Sequence, residues 1–170
     1  MKSKHQFMGT EKITKLLVQF SLPAIIGMLV NALYSIVDRI YIGNIKDVGH
    51  FAIAGVGLTF PITIFVFAFA VLIGLGGATN ISLSLGRKQK DEAEKYLGNG
   101  IGYGIIISLI IAIFVLLYMD KLVAILGGSE NTSKYTREYL WIVAYGFPAT
   151  IVGYVANAAI RSDGNPKMSM

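Results

Sequence analysis

Four long stretches without a charged residue constrain this chain more than anything else in it: Leu16–Val37, Phe51–Leu85, Gly98–Met119 and Tyr139–Ile160. Each is long enough to cross a bilayer's hydrocarbon core as an α-helix, which takes about 20 apolar residues. Lipid offers backbone N–H and C=O groups no water, so a spanning segment must bond them internally or join a closed barrel. Barrel strands alternate apolar and polar positions over about ten residues. Ile105-Ile106-Ile107 and Phe67-Ala68-Phe69-Ala70-Val71-Leu72 do not alternate. The expected fold is therefore all-α and polytopic, with four transmembrane helices at about 16–42, 51–85, 98–119 and 139–160.

Charge supports the same reading. Only 15% of residues are charged, against about 25% in a soluble domain, and they fall between the spans. Mean hydropathy is +0.62. The net charge of +5 reflects membrane topology rather than nucleic-acid binding, because cytoplasmic loops collect Lys and Arg. With both ends placed inside, the segments flanking the first span's start, the Arg87–Lys95 loop and Arg161–Lys167 hold ten of the 15 basic residues. Arg39, Lys46, Lys121, Lys134 and Arg137 fall outside. The expected arrangement is a plasma-membrane protein with a cytoplasmic N-terminus. The run from Leu16 is longer than a signal peptide's core and lacks a small-residue cleavage site, so it reads as a retained span. The absence of cysteine removes disulfides, thiolate nucleophiles and cysteine metal sites.

The spans are more than greasy anchors. Pro23, Pro61 and Pro148 each remove a backbone donor, and the freed carbonyls need helices, hydroxyls or water as partners. Thr59 and Thr63 flank Pro61 and are expected to repair the backbone there. As one straight helix the 35 residues of Phe51–Leu85 would measure about 52 Å, so the second span should tilt, kink or project, the surplus lying past Gly74. Gly98/Gly102 and Gly100/Gly104 make two overlapping G-x-x-x-G pairs, and Gly74, Ala78 and Ser82 continue a small face. These predict close packing of spans two and three. They are no nucleotide-binding signal, since the third glycine and a preceding strand are missing.

Two polar stripes stand out. Gly27, Asn31, Tyr34 and Asp38 recur at four, three and four residues and share one face of the first span. Thr150, Tyr154, Asn157 and Arg161 do the same on the fourth. Such stripes are costly against lipid and should face the bundle interior or a wet cavity. The residues alone leave two roles open for Asp38, which lies about 33 Å beyond Leu16 and so near an interface: a helix-end carboxylate paired with a nearby cation, or a cation or proton site. The mixed charges of Gly86–Lys95 read as a solvated helical connector, and Gly127-Gly128-Ser129-Glu130 as a turn opening a helix. No metal constellation, nucleophile with a base, or intramembrane carboxylate pair supports an enzyme.

Several segments resemble the multidrug and toxic compound extrusion (MATE) transporters. They are Val37-Asp38-Arg39-Ile40-Tyr41-Ile42-Gly43, Ala54-Gly55-Val56-Gly57-Leu58 with Pro61, Leu85-Gly86-Arg87-Lys88, and Ile160-Arg161-Ser162-Asp163-Gly164-Asn165-Pro166-Lys167. They fall in the family's order along nearly the whole chain. The resemblance implies two pseudo-symmetric six-helix lobes, of which this chain would supply helices one to four of the first, as an N-terminal fragment. It further implies secondary antiport: small organic, often cationic compounds leave in exchange for Na+ or H+, with no cofactor. Asp38 matches the first-helix acid of that lobe's cavity and would bind the coupling cation or proton. Asn31 and Tyr34 would line the cavity, and Asn157 would face the same space from the fourth helix. Expected partners are the organic substrate, membrane lipid and the remainder of the transporter, with no nucleic acid. A lipid-linked polysaccharide flippase of the same superfamily is the alternative transporter, though its cavities are usually more basic and the uncharged stretches here hold no Lys or Arg. A non-transporting membrane scaffold subunit is the alternative of another class.

Overall fold

The computed structural model of the chain describes residues 13–164 and 168, and at positions 15, 16, 19, 20, 23 and 24 the backbone alone. The basic residues before position 13, Lys167 and the side chains of Lys15 and Pro23 therefore lie outside the described residues. All regular structure described is helical: α1 (Ile13–Gly43), α2 (Gly49–Leu58), α3 (Phe60–Gly86), α4 (Lys90–Leu117), α5 (Met119–Ile125) and α6 (Glu130–Ser162). Four segments are long and apolar enough to cross a membrane: 25–43, 49–86, 90–117 and 130–162. This is a multi-pass membrane protein.

The second span is two helices. Pro61 is no mid-helix kink; it sits in the first turn of α3, where its missing N–H costs nothing. The break falls at buried Thr59, whose Oγ1 donates to the Val56 carbonyl at 2.7 Å. Thr63 likewise donates to the Phe60 carbonyl at 2.9 Å. The Val56 carbonyl already accepts the Thr59 N–H, so these hydroxyls brace the break between the helices rather than replace a bond that Pro61 removes. Pro148 does lie inside a helix, α6.

The remaining ends follow local chemistry. After α3, Lys88 adopts a left-handed conformation (φ 62°), with Gln89 N–H bonded to the Ser84 carbonyl and Lys88 N–H to that of Leu85. Gly127 (φ 87°) closes α5 the same way, through Gly128 to Val123 and Gly127 to Ala124. This pairing satisfies carbonyls that a helix end leaves open. Ser129 then opens α6 with a capping box shared with Thr132. The expected connector at Gly86–Lys95 is a tight turn followed directly by α4, which takes up Lys90 onward.

The core is a three-helix seam of α3, α4 and α6. Val66, Ala70, Val115, Leu140, Ala144 and Ile151 are all buried within it. The small-residue faces pack here, but against α6 more than between spans two and three. A Cβ on Gly74 would stand 2.8 Å from the Tyr154 ring, and one on Gly104 3.2 Å from Ile151. Gly100 meets Val155 likewise, at 3.3 Å. Gly98 and Gly102 face open space, so only one of the two predicted pairs is a packing face. The reason is register: residues two apart on a helix point in very different directions, and a single partner can take only one pair. Nor does α3 stand free beyond Gly74. Ile81 and Ser84 are buried, and Ile81 packs with Ala93 of α4 and Ala159 of α6, which run on beside it.

α1 stands apart from this seam, and its main contact is α2. Leu29, Leu33 and Ile40 are each more than half exposed. The turn to α2 is tight: a Cβ on Gly43 would meet Ile53 at 2.7 Å, and one on Gly49 would strike the Gly43 carbonyl. α2 in turn seats Gly55 against the backbone of Thr132 and Thr136 at the start of α6.

Candidate functional site

The helix register does what the spacing predicted for α1: Asn31, Tyr34 and Asp38 lie on one face over two turns. Asn31 and Tyr34 remain exposed, and Asp38 is half-buried. Ser35 beside them donates to the Asn31 carbonyl at 3.1 Å, so its hydroxyl is spent on its own helix.

Asp38 also has a neighbour that sequence reasoning missed. Tyr139, half-buried on α6, interacts electrostatically with Asp38, Tyr34 and Arg39. Tyr139 thus stands within electrostatic reach of the Asp38 end of α1, near the end of the bundle that carries the α1–α2 and α5–α6 turns. The sequence held one signal for this, an aromatic hydroxyl at the very start of the fourth uncharged stretch. Tyr139 falls on the face of the Thr150–Arg161 stripe, about three turns before Thr150, but Val143 and Gly146 between them interrupt the polar run, so periodicity did not single it out. A half-buried carboxylate such as Asp38 can accept a proton or pair with a cation. Arg39, in the next position, supplies the competing positive charge. Among the described residues no group of three or more His, Asp or Glu could hold a metal ion.

Asn157 lies toward the other end of α6. It lies 18 residues along α6 from Tyr139, about 27 Å away at 1.5 Å per residue. There it lines a groove of about 320 Å³ with Thr79, Ser82, Tyr154 and Arg161. Its Oδ1 accepts from the Arg161 guanidinium at 3.1 Å. Arg161 therefore does more than anchor a helix end. Thr150 donates to the Gly146 carbonyl, and the Tyr154 ring packs edge-on against Phe67 at 5.3 Å. The two polar stripes serve opposite ends of the bundle, and the second is largely tied up within the fold.

Comparison with known proteins fits this architecture. The MatE family model matches residues 23–170. The multidrug export protein MepA of Staphylococcus haemolyticus (strain JCSC1435) is 35% identical over 171 residues, taking in 100% of this chain and 37% of that protein. MepA of Staphylococcus aureus (strain NCTC 8325 / PS 47) is 31% identical over 158 residues, 93% of this chain and 35% of that one. The chain thus spans little more than a third of the length of these relatives. Among solved structures, a MATE protein in complex with MaD3S superposes with a TM-score of 0.86 at 25% identity, covering 99% of this chain and 37% of its own. A multidrug resistance MATE family transporter in an outward-facing conformation gives the same TM-score at 24% identity, which speaks for the fold.

Proposed function

Because this chain belongs to the MatE family, we propose that it forms part of the N-terminal lobe of a secondary antiporter. That antiporter exports organic, often cationic, drug-like compounds in exchange for Na+ or H+. The observation that carries the reading is Asp38, a half-buried acid within a membrane-spanning helix, on one face with Asn31 and Tyr34. An ionisable group is costly at membrane depth and is normally kept there for transport or proton movement. In this reading Asp38 binds the coupling cation or proton, Tyr139 and Tyr34 orient it, and Asn31 lines the approach. Release of the cation leaves the carboxylate to Arg39 and the phenols, so binding and release exchange one set of partners for another. The protein sits in the plasma membrane with its N-terminus in the cytoplasm. Each cation moving inward through 100 mV contributes about 2.3 kcal/mol to export.

The test is Asp38→Asn in the full-length protein, reconstituted into vesicles with an imposed Na+ or H+ gradient and a fluorescent organic cation. With the gradient set to be equivalent to about 100 mV, accumulation should fall roughly 50-fold, the ratio that about 2.3 kcal/mol corresponds to. Thermal unfolding should stay unchanged, because Asn keeps the shape. Undiminished coupled export by the variant would remove Asp38 from the mechanism. Residues 1–170 alone are expected to move nothing, since alternating access needs a second wall.

A further inference from the structure

An apolar slot of about 620 Å³ runs between α3, α4 and the start of α5, walled by Pro61, Phe65, Phe69, Ile107, Phe114 and Leu122. Pro61 to Phe69 covers about 12 Å of helix, all of it within a span. Left empty, a slot of this depth and composition would forfeit dispersion contacts along both walls. Its mouth is not apolar. The Phe114 ring stacks on Tyr118 at 5.0 Å, and the Lys121 ammonium stands 5.6 Å from the centre of the Tyr118 ring. Asp120, the carboxylate next to it, is committed to Arg137 at 2.9 Å. Lys121 is thus a cation with no carboxylate partner among the described residues, one aromatic ladder away from a hydrocarbon slot. Leu117 at the end of α4 and Ile125 at the end of α5 are 74% and 81% exposed.

We infer that this slot binds one phospholipid, an acyl chain lying between α3 and α4 and the phosphate resting on Lys121. The head group belongs to the leaflet on the side of the Leu126–Ser129 turn. A free inorganic phosphate would meet Lys121 but find nothing for the slot, and an uncharged hydrocarbon would fill the slot but ignore Lys121. Only a molecule with both parts uses the whole surface.

The full-length protein, moved from vesicles of phosphatidylcholine and phosphatidylglycerol into detergent, should retain one phosphatidylglycerol per chain in native mass spectrometry. Lys121→Gln should lower that occupancy roughly fivefold, the worth of one basic residue at an anionic surface. Ile110→Trp, a slot-lining position 61% exposed to the outside, should displace the acyl chain and lower it as well. Both variants should keep the unfolding temperature of the parent in lipid-free detergent, which separates loss of lipid from loss of fold. Inorganic phosphate should not compete. Equal retention by all three proteins, competition by inorganic phosphate, or a cross-link showing another helix seated in the slot would overturn the inference.

Discussion

At the scale of single residues, glycine carries the tightest contacts, and not every glycine does so. In α2, Gly55 faces backbone: an added Cβ would stand 3.0 Å from the Thr136 nitrogen and 3.2 Å from the Thr132 carbonyl oxygen. Gly57, two residues on, has nothing within 4 Å. Backbone cannot rotate away as a side chain can, so Gly55→Ala should force α2 off the head of α6 and cost about 1–3 kcal/mol. Gly57→Ala should be neutral or mildly stabilising, because alanine is the better helix former. Thermal unfolding of the two variants side by side checks this. Equal behaviour would mean that α2 is not seated as described. The same logic explains Asp38. Its spacing from Asn31 and Tyr34, and Arg39 next to it, were readable from the sequence, whereas Tyr139 as its company was not. A partner contributed by a helix one hundred residues away leaves no local pattern.

At the scale of elements, hydrophobic runs made the number and type of spans legible, since any long uncharged stretch must be helical in lipid. Their interruptions were not legible. Leu58-Thr59-Phe60-Pro61 contains no charge and no glycine, so a break there looks the same as a kink. The distinction lies in where the helix starts, and proline in a first turn differs from proline in mid-helix only by its context. Packing partners were likewise hidden, because G-x-x-x-G says that something comes close without saying what. The helix ends invite one direct test. Lys88 holds a left-handed conformation at φ 62° in a position where glycine is the usual occupant. Lys88→Gly should raise stability by about 1 kcal/mol, since a side chain pays about that much to sit there. A lower unfolding temperature would show that the lysine side chain contributes more than its backbone costs.

For the whole molecule, the arrangement fixes which loops share a side of the membrane. One crossing separates the Asn44–Val48 turn from the Arg87–Gln89 turn, and another returns the chain to Gly127. Residues 1–170 hold no cysteine, so with any cysteine beyond them replaced, single introduced thiols report cleanly. Lys46→Cys and Glu130→Cys should react with a membrane-impermeant maleimide added outside intact cells. Gln89→Cys should react only after the cells are opened. The reverse pattern would invert the proposed orientation, and three equal reactivities would refute four crossings.

The isolation of α1 bears on how such a protein is made. Asp38 leaves the ribosome about a hundred residues before Tyr139 does, a delay of roughly 5–20 s at the usual pace of synthesis. During that interval the first span is already in the bilayer with its polar face uncovered, while α3, α4 and α6 have yet to close their seam. The acid on α1 therefore waits for Tyr139 until the fourth span is made. The helix's passage through those seconds depends on the insertion machinery rather than on its own fold.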